Sequence, residues 1–193
     1  MTHDVTRVSD IYILTITSSD GMNRLTRETV TTLTKTVLDL SALPKPLIIT
    51  GKPNFSAGAD LNEIATLSGP EAYAFSAMGQ DLMHTVASFP APVIAAINGY
   101  CLGGGLDLAL ACHQRIAAPS AVFGHRGAAL GLITGWGGTA RLPRLIGKGR
   151  ALEMFITAQK LNAQQAHAIG LVDLLAVDPI AEAQRQLSEN GKD

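Results

Sequence analysis

PVIAAINGYCLGGGLDLALAC, residues 92–112, is the stretch on which the fold turns. Val93 to Ile97 is a short apolar run and reads as a strand. Asn98 to Gly105 is a glycine-rich turn, after which Leu106, Leu108, Ala109, Leu110 and Ala111 read as a buried helix. An upstream segment has the same order of strand, small-residue loop and helix. There Leu47 to Thr50 leads through NFSAGAD, residues 54–60, to a helix start near Asp60, whose carboxylate is suited to capping free N–H groups.

Each segment aims the unsatisfied N–H groups of a helix start into a loop without bulky side chains, a place that stabilises negative charge. A phosphate site is one candidate. However, Leu108 occupies the third glycine position of a GxGxxG pattern, and no GxxxxGK[ST] is present, so a dinucleotide-binding oxidoreductase is the weakest reading. The other candidate is an oxyanion hole, with one N–H from each loop converging on a carbonyl oxygen. Against both stands the plain alternative that Gly103, Gly104 and Gly105 only permit a tight turn and close helix packing.

Working outward, the alternation in Ile11 to Ile16 predicts a strand, GMN at residues 21–23 a turn, and Thr26 to Leu40 a helix. Pro44 and Pro46 break the chain. A second amphipathic helix is expected from Pro70 to Ser88, ended by Phe89, Pro90, Ala91 and Pro92. Strands follow near Arg115–Ala118 and Ala121–Gly124, then a glycine-rich stretch to Gly138, then mostly helix with one strand near Leu171–Leu175. No internal repeat is visible, and strands alternating with helices indicate the α/β class.

The 193 residues fit one domain, 1–193, and include 27 Ala and 19 Gly, which predicts closely approaching backbones. With 15 Lys plus Arg against 16 Asp plus Glu and no basic run, nucleic acid and anionic membranes are not expected partners. Apolar stretches are too short and too interrupted to span a bilayer, and the N-terminus lacks an apolar signal core. Cys101 and Cys112 have neither metal-ligand nor redox spacing and are read as reduced packing residues of a cytoplasmic protein. His84 and His167 lack an acidic partner at ligand spacing, so no metal is expected.

Three segments, FSAGADLNEI (55–64), PVIAAINGYCLGGGLDLALAC (92–112) and GWGGTARLPRLIG (135–147), together resemble the crotonase, or enoyl-CoA hydratase/isomerase, superfamily. They occur in family order and spacing, and the similarity runs from about Tyr12 to Asp178. The resemblance implies a crotonase-like spiral of repeated ββα units, an acyl-CoA or enoyl-CoA thioester as partner, and a thioester enolate as intermediate. Position by position, it assigns the oxyanion donors to the backbone N–H groups of Ala59 and Gly104. It assigns coenzyme A contacts to Ala57, Ala59, Asp60, Leu61, Asn62 and Gly104; Arg24, after the first turn, is a candidate phosphate contact or else a solvated surface arginine. Coenzyme A arrives as part of the substrate, no separate cofactor is implied, and a homo-oligomer, trimer or hexamer, is expected.

The sequence departs from the family pattern where chemistry is concentrated. Of the two glutamates of typical hydratases, the first is Asp107 and the second, in the FGxxE stretch, is Gly127. A positioned acid or base contributes about 10²- to 10⁴-fold in rate, so ordinary two-carboxylate hydration is in doubt. One replacement is His125, with an ordinary pKa of about 6.5; in an extended segment it would share a face with position 127. Another is water or a small anion held in the space beside Gly127, near Arg126. Some dihydroxynaphthoyl-CoA synthases of the superfamily share such a glycine, but Leu132 and Thr134 stand here in place of their polar catalytic residues. The third is chemistry needing one carboxylate or none, such as isomerisation, decarboxylation or thioester hydrolysis.

A noncatalytic acyl-CoA-binding or assembly protein that kept the loops is the competing class. His113 is read as structural, Trp136 as either pocket or core, and Ser56 as lacking the context of a nucleophile. Relatives continue with further C-terminal helices, so a shortened or missing terminal helical region is expected.

Overall fold

The computed structural model describes residues 2–189. A hairpin of β1 (Thr2–Val8) and β2 (Ile11–Thr17) opens the chain, followed by β3 (Arg24–Leu25) and α1 (Arg27–Ser41). The next winding holds β4 (Leu47–Lys52), β5 (Gly58–Ala59), α2 (Leu61–Ile64) and α3 (Gly69–Ala87). A third holds β6 (Val93–Ile97), β7 (Tyr100–Leu102) and α4 (Gly104–Ala111). The fourth holds β8 (Gln114–Ala117), β9 (Val122–Gly124), a 3-10 turn (Gly127–Leu130), α5 (Gly138–Ile146) and α6 (Lys148–Thr157). The described chain ends with β10 (Leu161–Asn162), α7 (Ala163–Ala168), β11 (Leu174–Leu175) and α8 (Pro179–Glu189).

Successive windings stack. Each gives one strand to a six-stranded sheet of order β1-β2-β4-β6-β8-β11 and one short strand to an inner ladder, either β3-β5 or β10-β9-β7. β2, β4, β6, β8 and β11 run parallel, whereas β1 pairs antiparallel with β2, Thr2 opposite Thr17 through Val8 opposite Ile11. This is the α/β spiral of ββα units. The repeat lies in the backbone path and left no repeat in the sequence.

Both faces of the large sheet are covered, which is why its central strands are apolar throughout. From β6, Val93, Ala95 and Ile97 enter the main core with Leu14, Ile49 and Leu106. Ile94 and Ala96 turn the other way and pack with Ile48, Ile116, Ala183 and Leu187, so α8 seals the second face. Helix starts follow local chemistry: Thr29 N–H donates to the Thr26 side chain before α1, and Ser68 N–H donates to Glu71 at 2.8 Å before α3.

Several elements differ from the sequence-based expectation, beginning with the short inner strands β3, β5 and β7, which lie where turn or loop is expected. β1, which was not anticipated, reads THDVTRV and is mostly exposed; its strand character comes from hydrogen bonding to β2, not from an apolar alternation of its own. β10 is likewise created by pairing with β9. The helix expected at Asp60 is a single turn, capped as anticipated by Asp60, whose Oδ1 accepts from Asn62 N–H at 2.8 Å. The strand expected over Leu171–Leu175 contracts to two residues because Leu171 and Val172 are committed to the turn after α7, their N–H groups donating to Ala166.

Candidate active site

The two small-residue loops lie against each other in strand-like register. Phe55 N–H donates to Asn98 O at 2.7 Å, Ser56 N–H to Tyr100 O at 2.9 Å, and Leu102 N–H to Ser56 O at 3.0 Å. That approach leaves no room for side chains. A Cβ on Gly58, whose φ is +92°, would lie 2.6 Å from Leu102 O and 2.8 Å from Gly104 N. One on Gly105 would lie 2.5 Å from Ser56 O. The glycines are therefore required for close packing, and the same packing brings the Ala59 loop to the start of α4.

Donor directions follow from the pairing. Asp60 N–H donates to Leu25 O in the neighbouring strand, so Ala59 N–H, one residue earlier in an extended segment, points to the opposite side, where α4 begins. Gly104 opens α4, and its N–H is among the first-turn donors a helix cannot satisfy internally.

Beside these donors opens a cavity of about 450 Å³ with a mainly apolar lining. Ala57, Ala59, Leu61, Gly104, Asp107, His125 and Gly127 all contribute to its wall, whereas Asp60 and Asn62 are not among the lining residues. Trp136 is both pocket and core: it lines the cavity, is almost fully buried, and donates from Nε1 to Phe75 O at 3.2 Å. A Cβ on Gly104 would lie 2.5 Å from its ring.

Asp107 sits in the first turn of α4 with 1% of its surface exposed. Its Oδ2 accepts a short hydrogen bond from Thr134 Oγ1, and its Oδ1 faces His125 Nε2 at 3.5 Å. His125 is 3% exposed and packs against the Phe155 ring, centroids 5.2 Å apart. Asp107 Oδ1 and both ring nitrogens of His125 have no hydrogen-bond partner. Burial raises Asp107 to about 7, against the opposing effects of the Thr134 hydroxyl, the Arg141 charge and the Gly138 backbone N–H. Burial lowers His125 to about 4.

The neighbourhood of Gly127 corrects one expectation. β9 ends at Gly124 and Gly127 starts the 3-10 turn, so His125 and Gly127 do not share the face of an extended strand. The direction a side chain at 127 would take is filled, since a Cβ there would meet Leu132 O at 2.6 Å and Leu132 N–H donates back to Gly127 O at 2.9 Å, while Arg126 and Gly127 both line the neighbouring cavity. His125 is not a surface residue, and Thr134, set aside on sequence, is the hydroxyl partner of the buried carboxylate. Nothing local in the sequence marks Thr134; only the return of the 127–134 loop onto α4 does.

The remaining candidates have structural roles. Ser56 Oγ donates to Asn23 O at 2.7 Å and accepts from Gly58 N–H. Arg24 is paired with Asp20. His113 Nδ1 accepts from Val93 N–H at 2.9 Å, and Cys101 and Cys112 are buried free thiols. Among the described residues, no three His, Cys, Asp or Glu side chains gather as a metal site, and no helix is long and apolar enough to cross a membrane.

The family model described as enoyl-CoA hydratase/isomerase matches residues 6–190. Among solved structures, DspI of Pseudomonas aeruginosa is 31% identical with a TM-score of 0.94, covering 99% of this chain and 75% of its own. An enoyl-CoA hydratase from Bacillus anthracis is 36% identical with a TM-score of 0.88 (98% and 74% covered). The enoyl-CoA hydratase from Thermoplasma volcanium is 33% identical with a TM-score of 0.93 (99% and 77%). The windings, the loop pair and these matches agree, and the chain belongs to the enoyl-CoA hydratase/isomerase family of the crotonase superfamily.

Proposed function

We propose that this protein is an acyl-CoA enzyme that forms a thioester enolate and moves a proton with one carboxylate, Asp107. The carrying observation is a single buried carboxylate raised to about 7 beside the Ala59 and Gly104 N–H groups. A carboxyl group poised near neutrality is suited to both taking and returning a proton. Asp107 removes a proton from a carbon conjugated to the thioester; the C–H electron pair flows to the carbonyl oxygen, and the two N–H groups meet the developing charge. Return of that proton to a different carbon of the delocalised system shifts the double bond.

Isomerisation is favoured over hydration because Gly127 stands where a hydratase has its second carboxylate. Coenzyme A runs along the first loop, at Ala57 and Leu61, and the acyl group faces Trp136 and Phe75. A homo-oligomer, trimer or hexamer, belongs to the same reading, and light scattering that finds a stable monomer removes it. The enzymatic test is incubation with crotonyl-CoA and trans-3-hexenoyl-CoA, read by chromatography with mass detection. Isomerisation changes retention at constant mass and hydration adds the mass of water. Binding of both thioesters with conversion of neither would favour a noncatalytic acyl-CoA-binding protein instead.

A further inference from the structure

Three buried polar atoms without partners lie together at the cavity wall: Asp107 Oδ1, His125 Nδ1 and His125 Nε2. Buried polar groups in folded proteins are nearly always paired, so a cluster of three orphans facing a cavity calls for a functional account. The neighbours narrow it. Asp107 Oδ2 already accepts the Thr134 hydroxyl, which leaves Oδ1 as the oxygen free to carry a proton. Within 3.5 Å of Oδ1 stands Nε2 of His125. Gly138 packs against both groups, its Cβ position only 3.0 Å from His125 Cε1 and nearer still to Oδ1, so a side chain there would part them.

We propose that His125 is a positioning residue whose Nε2 accepts a hydrogen bond from Asp107 Oδ1–H once Asp107 has taken a proton from substrate. This rests on the assignment of Asp107 as the proton carrier and names its partner. In the step, a substrate C–H bond breaks, an O–H bond forms on Asp107, and the C–H electron pair passes to the thioester carbonyl oxygen. The proton stays on Asp107, held by a hydrogen bond to neutral His125, and returns to substrate when the enolate collapses. His125 must then carry its own hydrogen on Nδ1. Its lowered pKa is consistent with that neutral state. The other groups facing the pair are Thr134, the Gly138 backbone N–H and Arg141 of α5, the Cys101 thiol beneath α4, Phe155 of α6 and the exposed Arg126 next to His125.

Two variants of the full chain test this on whichever thioester is converted. His125→Phe keeps a planar ring and removes the acceptor; kcat is expected to fall about 10- to 100-fold with KM within about twofold. The pH limb governed by Asp107 should move down by about one unit, because a hydrogen bond to the neutral form has been lost. His125→Gln, which restores an acceptor, should recover most of the rate and the limb. Unchanged kcat and pH limb in His125→Phe would overturn the pairing. If that variant does not fold, nitrogen-15 spectra of the wild-type histidine rings decide: the Nδ1–H tautomer at neutral pH supports the pairing, and an Nε2–H tautomer overturns it. Full activity in Asp107→Asn would instead overturn the proposed function itself.

Discussion

The cavity has two walls built on opposite principles. One, formed by residues 55–60 and 100–105, presents backbone: its glycines leave no room for a Cβ, and its donors are main-chain N–H groups fixed by loop pairing. The other, formed by residues 125–136, presents side chains, and its chemistry depends on how one loop returns onto α4. Asp107 stands on the first wall and finds both its partners on the second. The family's loops are retained where backbone does the work, and the departures are concentrated where side chains do it.

The contrast is broken most directly at Asp107. Asp107→Asn should lower turnover about 10²- to 10⁴-fold while leaving thioester binding nearly intact, as measured by steady-state rates against calorimetric affinity. Unchanged turnover would take the carboxylate out of the mechanism. On the backbone wall, Gly58→Ala should cost about 3 kcal/mol, since the residue combines a positive φ with backbone atoms closer than any Cβ tolerates. Chemical denaturation measures the loss, and residual folded protein should also turn over poorly because Gly104 N is displaced.

A pH series sharpens the comparison further. Between its ordinary 3.8 and about 7, Asp107 is protonated in the folded state and ionised in the unfolded one, so its contribution to stability falls as pH rises. His125, lowered from 6.5 to about 4, is neutral when folded and charged when unfolded in that window, so its contribution rises with pH. The two slopes oppose each other from about pH 4 to 6.5. Relative to wild type, Asp107→Asn should therefore gain stability as pH rises through this window, and His125→Gln should lose it, each by on the order of 3 kcal/mol. Thermal melts at several pH values read this out, and parallel curves for all three proteins would count against the burial of the pair.

Smallest is Gly127→Glu. Restoring the missing carboxylate should yield no hydratase activity and cost about 1 to 2 kcal/mol, because the new Cβ meets Leu132 O. Hydration of crotonyl-CoA by this variant would show that the loop yields easily.

Legibility divided along the same line. Val93–Ile97 was read to the residue and α1 and α3 to within two residues at each end, whereas the approach of the Ala59 and Gly104 loops came only with the family resemblance. β1 escaped because its strand character is conferred by β2. Thr134 escaped because it approaches Asp107 across 27 residues of chain, and the block on a side chain at 127 escaped because Leu132 O is a backbone atom no residue type announces.

By itself, then, the sequence determined β2, β4, β6 and β8, the Asp60 cap, the glycine loops, the loss of a second glutamate and, through its three motifs, the family. These depend on local periodicity and on glycine where a side chain cannot fit. Only the tertiary structure decided that Leu132 O blocks the Cβ direction of Gly127, that His125 is buried against Asp107 and that Thr134 bonds the Asp107 carboxylate. Those are contacts between segments remote along the chain, fixed by how the fourth winding packs on the third.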